Sequence, residues 1–238
     1  MQTEKASMNE LKRQIVETGE KMVAWGLVTR TGGNISARVP GTDVIVITPS
    51  GFAKGELKIE DIIVMNLDGK ILEGVHKPSI ENAMHVAIYR NRRDINAIIH
   101  THSPMATSVG IAGKEIPTVI TDVANNIGHS IPLAGFACHG SMELGEEVVK
   151  ALKKANAAMM QNHGVVAAGP NLSAALKNAL IVEEAATLFI FAKLIGDVNL
   201  IPPTEVEKGQ RIRKMWNALK DVKDLQKEWW DKLLNERT

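Results

Sequence analysis

The run Ala97-Ile98-Ile99-His100-Thr101 constrains this chain more than any other segment, because it is short, apolar and ends in His-Thr-His. Such a run reads as a strand, and strand side chains alternate between faces, so His100 and His102 point the same way. Two imidazoles then meet at one point on the rim of a sheet. A third, His163, follows the apolar run Ala157 to Met160 in Gln161-Asn162-His163-Gly164, again at a strand end before a turn residue. Upstream, Pro78 and Ser79 mark a helix start with Ser79 as cap; Ile80, Met84 and Ile88 form an apolar stripe, and Glu81 falls in the first helical turn. Three imidazoles and one carboxylate fit a catalytic zinc site. His76, His85, His129 and His139 have no local partner in the sequence and read as surface or hydrogen-bonded core residues.

Helices and strands alternate around this stretch. Ser7 with Glu10 resembles a capping box, and Leu11, Ile15, Met22 and Val23 keep helical spacing, which predicts a first helix ending near Gly26. A loop through Gly32-Gly33-Asn34 leads into two β-rich runs, Ile35 to Val39 and Val44 to Thr48, and Pro49-Ser50-Gly51 makes a second turn. Each loop is either a plain turn or a place where backbone N–H groups approach an anion. Asp61 to Met65 and Lys70 to Leu72 flank Asp68-Gly69, a hairpin signal. Met105 to Gly113 then reads as a short helix, Ile116 to Ile120 and Ile131 to Phe136 as strands, Leu144 to Ala155 as an amphipathic helix, and Val165 to Ala168 as a strand. Asn171 opens a long helix, Ala174 to Leu194, with more apolar surface than one core contact needs. Thr204 with Glu207 begins a polar helix to about residue 235 that bears Trp216, Trp229 and Trp230. The pattern predicts an α/β fold, a single-domain α/β/α sandwich over 1–238 whose central sheet is mixed, largely antiparallel and flanked by helices. Residues from about 204 to 238 form a C-terminal helical extension.

Composition narrows the function classes. With 45% hydrophobic residues the chain can bury a substantial core, and its formal net charge of +1, with no Lys/Arg cluster interleaved with aromatics, speaks against a nucleic-acid partner. The single Cys138 excludes an intrachain disulfide, suits a reducing cytoplasm and reads as a buried bystander. The N-terminal M-Q-T-E-K-A-S-M-N-E lacks an apolar core of signal-peptide length, and no apolar run is long enough to span a bilayer. The expected location is cytoplasmic, without a membrane partner.

Gly33-Asn34 in G-G-N-I-S, Ser50-Gly51 in T-P-S-G, Ser79 and Glu81 in P-S-I-E, then H-T-H-S-P and N-H-G resemble, in this order, the class II aldolases of the fuculose-phosphate aldolase type. That superfamily includes the ribulose-phosphate 4-epimerases. The intervals from Glu81 to His100 and from His102 to His163 also match the aldolase branch. The resemblance implies one Zn²⁺ per subunit held by His100, His102 and His163, with Glu81 a ligand or close neighbour that leaves to act as base. It also implies that Gly33, Asn34, Ser50, Gly51 and Ser79 hold the phosphate of a small sugar phosphate. The implied reaction is cleavage of a ketose 1-phosphate, L-fuculose 1-phosphate or a similar one, into dihydroxyacetone phosphate and an aldehyde through an enediolate. The implied assembly is a homotetramer with the site at a subunit interface.

The sequence departs from the family pattern at Ile80, where a second Ser usually precedes the Glu, and at Thr121, where the tyrosine that protonates the leaving aldehyde is expected. It also outlasts the short aldolases with its tryptophan-bearing tail. A 4-epimerase would carry Asp in place of Glu81 and an Asp and Tyr pair that is not found. A 3-oxo-tetronate phosphate decarboxylase or a methylthioribulose-phosphate dehydratase would use the same metal site. An adducin-like interaction module would lack the metal histidines.

Overall fold

Strands that are apolar at successive positions have two faces to bury, and this chain supplies helices for both. The structure is a computed structural model that describes residues 2–219. Its strands are β1 (Asn34–Arg38), β2 (Val44–Ile47), β3 (Ile63–Asn66), β4 (Ile71–Glu73), β5 (Ala97–Thr101), β6 (Ile116–Pro117), β7 (Ser130–Ile131), β8 (Leu133–Ala134), β9 (Ala157–Met160) and β10 (Gly164–Gly169). Eight of them make one sheet in the order β4-β3-β2-β1-β5-β10-β9-β8, antiparallel throughout except for the parallel β8–β9 pair. The helices are α1 (Gln2–Ala24), α2 (Asn82–Asn91), α3 (Pro104–Ile111), α4 (Met142–Ala151), α5 (Leu172–Ile195) and α6 (Pro203–Leu219).

Alternation along the central strands sorts the core into two layers. Ile99, Val165 and Ala167 bury against Ile15 and Met22 of α1, Val109 of α3 and Val182 of α5. Ile98, Val166 and Ala168 bury on the opposite face against Met84 and Ile88 of α2 and Leu144 and Val148 of α4. Each of these Ile, Val, Leu and Met side chains stabilises the fold by about 1.5–3 kcal/mol relative to exposure, so the sheet is held from both sides. Asn171 caps α5, its Oδ1 accepting from Ala174 N at 2.9 Å, and Ser141 caps α4 by accepting from Leu144 N at 3.2 Å.

Several expectations give way to local chemistry. Ser7 lies inside α1 and caps nothing. α2 starts at Asn82, not at Ser79; the Ser79 hydroxyl instead accepts from Glu81 N at 3.3 Å within the preceding turn. Ile80 leaves the apolar stripe and stands 58% exposed. Cys138 is exposed rather than buried. The strands expected at 116–120 and 131–136 shrink because Pro132 has no N–H to continue a ladder. Ser130–Ile131 therefore pairs with Ile116–Pro117, and the chain switches to the main sheet at Leu133–Ala134. Asn125 and Asn126, which the sequence places in a loop between those two strands, lie in a short π-helix, Val123–Ile127. The last helix extends to Leu219; the stretch beyond it, with Trp229 and Trp230, lies outside the described residues. No described helix is long and apolar enough to cross a membrane.

Candidate active site

Because β1 and β10 both run antiparallel to β5, the start of β1, the end of β5 and the start of β10 share one rim of the sheet. Asn34 and Val166 stand on either side of His100 in the ladder. His163 is delivered by the β9–β10 turn, where Asn162 takes a left-handed φ of 57°. Close packing at this rim demands glycine. A Cβ on Gly164 would lie 2.3 Å from the Thr101 carbonyl oxygen, and one on Gly33, at φ +71°, would lie 2.6 Å from the His100 carbonyl oxygen.

These constraints bring His100, His102 and His163 together with donor atoms all within 4.8 Å of one another. His100 Nδ1 lies 2.8 Å from Val165 O and donates to that carbonyl, which leaves the Nε2 lone pair facing inward. His102 Nε2 stands 3.0 Å from it, and Glu81 Oε2 3.2 Å. Glu81 Oε1 lies 3.1 Å from His163 Nε2, but is buried without a hydrogen bond, as is His163 Nδ1. Lone pairs facing one another and an orphaned carboxylate oxygen are what a cation between them resolves, so the donor set fits a divalent metal of the zinc type.

Glu81 is also the end of a buried polar ladder that sequence reading missed. Asn34, Ser36 and Arg38 alternate along β1 toward α2, where Glu81, His85 and Tyr89 recur every fourth position. The two repeats nearly match, about 6.6 Å along a strand and about 6 Å along a helix, so the rungs stay in step. Asn34 Nδ2 donates to Glu81 Oε2 at 2.7 Å, and the opposite side of that amide, Oδ1, accepts from His85 Nε2. His85 Nδ1 then accepts from the Ser36 hydroxyl at 2.6 Å, and Ser36 Oγ accepts from the Tyr89 hydroxyl at 2.8 Å. Arg38 closes the ladder by donating to Tyr89 O at 2.6 Å. The period-four spacing from Glu81 was the available signal, hidden because a lone histidine carries none.

Burial pushes His100 down to about 3 and His85 down to about 4, so both imidazoles are neutral at neutral pH. Burial also opposes charge on Glu81, but attraction to the protonated forms of the His100 and His163 imidazoles and the hydrogen bond from the Asn34 amide outweigh it and hold the carboxyl below the usual range. A metal ligand set needs neutral imidazoles and an ionised carboxylate.

One cavity of about 450 Å³ is lined by Glu81, His102 and His163 and also by the glycine loops at Gly33, Asn34, Ser50, Gly51 and Ser79. The loops are stitched together, Ser50 N donating to Lys77 O at 3.0 Å and Ser79 N to Thr48 O at 3.1 Å. The Ser79 N–H is therefore occupied, which leaves its hydroxyl for a ligand. Among the described residues the N–H groups of Gly33, Gly51 and Ile80 have no acceptor. His139 and Lys54 line the same cavity, while Thr121 is exposed and does not.

Residues 13–190 match the family described as the Class II Aldolase and Adducin N-terminal domain. The chain belongs to that family. A 5-deoxy-D-ribulose 1-phosphate aldolase of Bacillus thuringiensis serovar kurstaki is 37% identical over 82% of this chain and 92% of its own length. An L-ribulose-5-phosphate 4-epimerase of Salmonella paratyphi B is 32% identical over 79% of this chain and 88% of its own. The solved structure of an L-fuculose 1-phosphate aldolase superposes with a TM-score of 0.84 at 33% identity, covering 86% of this chain and 96% of that one. As a class II aldolase relative the chain is an enzyme of sugar-phosphate metabolism, and the three-histidine cluster agrees with the family's dependence on a metal.

Proposed function

We propose that the protein is a zinc-dependent, cytoplasmic aldolase that cleaves a ketose 1-phosphate, of the L-fuculose or 5-deoxyribulose type, into dihydroxyacetone phosphate and an aldehyde. The observation that carries this reading is the joining, in one cavity, of a carboxylate and imidazole cluster to loops with unspent backbone donors. His100, His102 and His163 would hold the ion, and Glu81 is the carboxylate beside them. Zinc held there would supply Lewis-acid polarisation of the carbonyl and hydroxyl oxygens of the ketose, so that the electrons of the breaking C3–C4 bond could be accepted as an enediolate.

This chain's own residues do the rest. The Gly33, Gly51 and Ile80 amides and the Ser50 and Ser79 hydroxyls receive the phosphate, and the amides survive the change to Ile80 because only a side-chain hydroxyl is lost. Glu81, anchored by Asn34, carries the proton that C3 of the enediolate gains when dihydroxyacetone phosphate forms. Thr121 lies outside the cavity, so the C4 hydroxyl gives its proton to solvent water in the open cavity, and that water resupplies the proton that Glu81 delivers to C3. A homotetramer with the site at a subunit boundary, all of it on one domain spanning 1–238, completes the reading.

Metal analysis of the purified protein, with aldehyde release from a panel of ketose 1-phosphates, tests it. One zinc per chain and chelator-sensitive cleavage are expected; full activity without stoichiometric metal would sink it. The epimerase relative favours a second reading, 4-epimerisation of a pentulose 5-phosphate, which adding L-ribulose 5-phosphate to the panel detects as an epimer formed without aldehyde.

A further inference from the structure

Lys54 is 1% exposed, a position that lysine rarely takes without a partner of opposite charge. Its ammonium donates to Phe52 O at 2.7 Å and Thr31 O at 3.2 Å, one carbonyl from each of the two glycine loops. An ammonium has three N–H donors, so one remains. Among the described residues no carboxylate pairs with it, and it is the one Lys or Arg that lines the cavity holding Glu81 and His163. α1 clamps its backbone, for a Cβ on Gly19 would lie 2.5 Å from Lys54 O. A buried cation without a counter-ion is costly, and the missing charge fits a group that arrives with the substrate.

We propose that Lys54 is a substrate-binding residue, the fixed positive charge that pairs with the phosphate dianion between the two glycine loops. The assignment rests on the ketose-phosphate reading above and adds to it the one formal charge that the amides and hydroxyls of the loops do not supply. Burial lowers Lys54 to about 8, which leaves it charged at neutral pH and ready for an anion. The carbonyls of Thr31 and Phe52 hold the ammonium in place before the ligand arrives, so little ordering is lost on binding.

The test compares the zinc-loaded wild type with Lys54→Met, which removes the charge, and Lys54→Gln, which keeps an N–H donor for the loop carbonyls. Inorganic phosphate, as a competitive inhibitor, should bind about 10- to 100-fold more weakly to both variants, the worth of a charge-assisted hydrogen bond. KM for the phosphorylated ketose should rise in step, with little change for its unphosphorylated counterpart and with metal content unchanged. If Lys54→Gln binds phosphate like the wild type, Lys54 is a loop pin and the assignment falls. Loss of phosphorylated and neutral ligands alike would overturn it too. If the wild type cleaves an unphosphorylated ketose and ignores phosphate, the phosphate reading and Lys54 fall together. If phosphate binds and depends on Lys54 while no ketose phosphate is cleaved, only the aldolase reading fails.

Discussion

Glu81 sits between two sets of neighbours that ask different things of it, and substitutions separate them. On one side are the imidazoles of His100 and His163, on the other the Asn34 amide. Glu81→Gln keeps the size and an oxygen near the metal, but cannot take a proton at neutral pH. Exchange of the C–H proton of dihydroxyacetone phosphate with deuterated water should fall by roughly 10² to 10⁴ with metal retained. His100→Ala should lose both metal and exchange. His85→Leu keeps the volume of the ladder residue but strands the Asn34 amide oxygen and the Ser36 hydroxyl. A stability loss of about 1–3 kcal/mol should accompany a kcat reduced by roughly 10- to 100-fold, with KM and metal content near wild type. Metal loss in this variant would instead make His85 a support of the ion.

At the scale of elements, the site depends on how closely β10 approaches β5. Gly164 is the contact point, with His100 Cε1 and His102 Cδ2 only 3.1 and 3.2 Å from where a Cβ would stand. Gly164→Ala should therefore cost about 1–3 kcal/mol in denaturant unfolding and weaken metal binding, because the strands cannot separate without moving two ligands. Gly55→Ala, whose added Cβ meets nothing nearer than 3.6 Å, is the control and should change little. Most elements were legible in the sequence because period and caps are local: β5, β9, β10 and the Asn171 cap lie where the pattern puts them. The start of α2 was not, because Pro49 and Pro78 bridge two loops and hold Ser79 in a turn. That interaction is invisible to a window of neighbouring residues.

Across the whole molecule, buried neutral histidines make stability depend on pH. His85 has its folded value lowered from 6.5 to about 4, so below about pH 6.5 the unfolded chain binds a proton that the folded one refuses. Stability should fall as pH drops from about 6.5 to about 4 and then level, by roughly 1.4 kcal/mol per pH unit from this residue, and denaturant titrations should show the window shrink in His85→Leu. α5 ends in an exposed apolar cluster, Leu188, Phe191, Leu194 and Ile195, the last two 76% and 88% exposed. Such a patch favours burial between subunits, and sedimentation at micromolar concentration should show a tetramer. An active monomer would remove the shared site. The sequence by itself determined the donor types, the strand ends that carry them and the glycines beside them, because each follows from local spacing. Only the tertiary structure decided that Asn34 grips Glu81, that His85 stands behind it and that Lys54 is buried against the same cavity. Those relations join residues far apart in the chain, and strand pairing and helix packing alone set which of them meet.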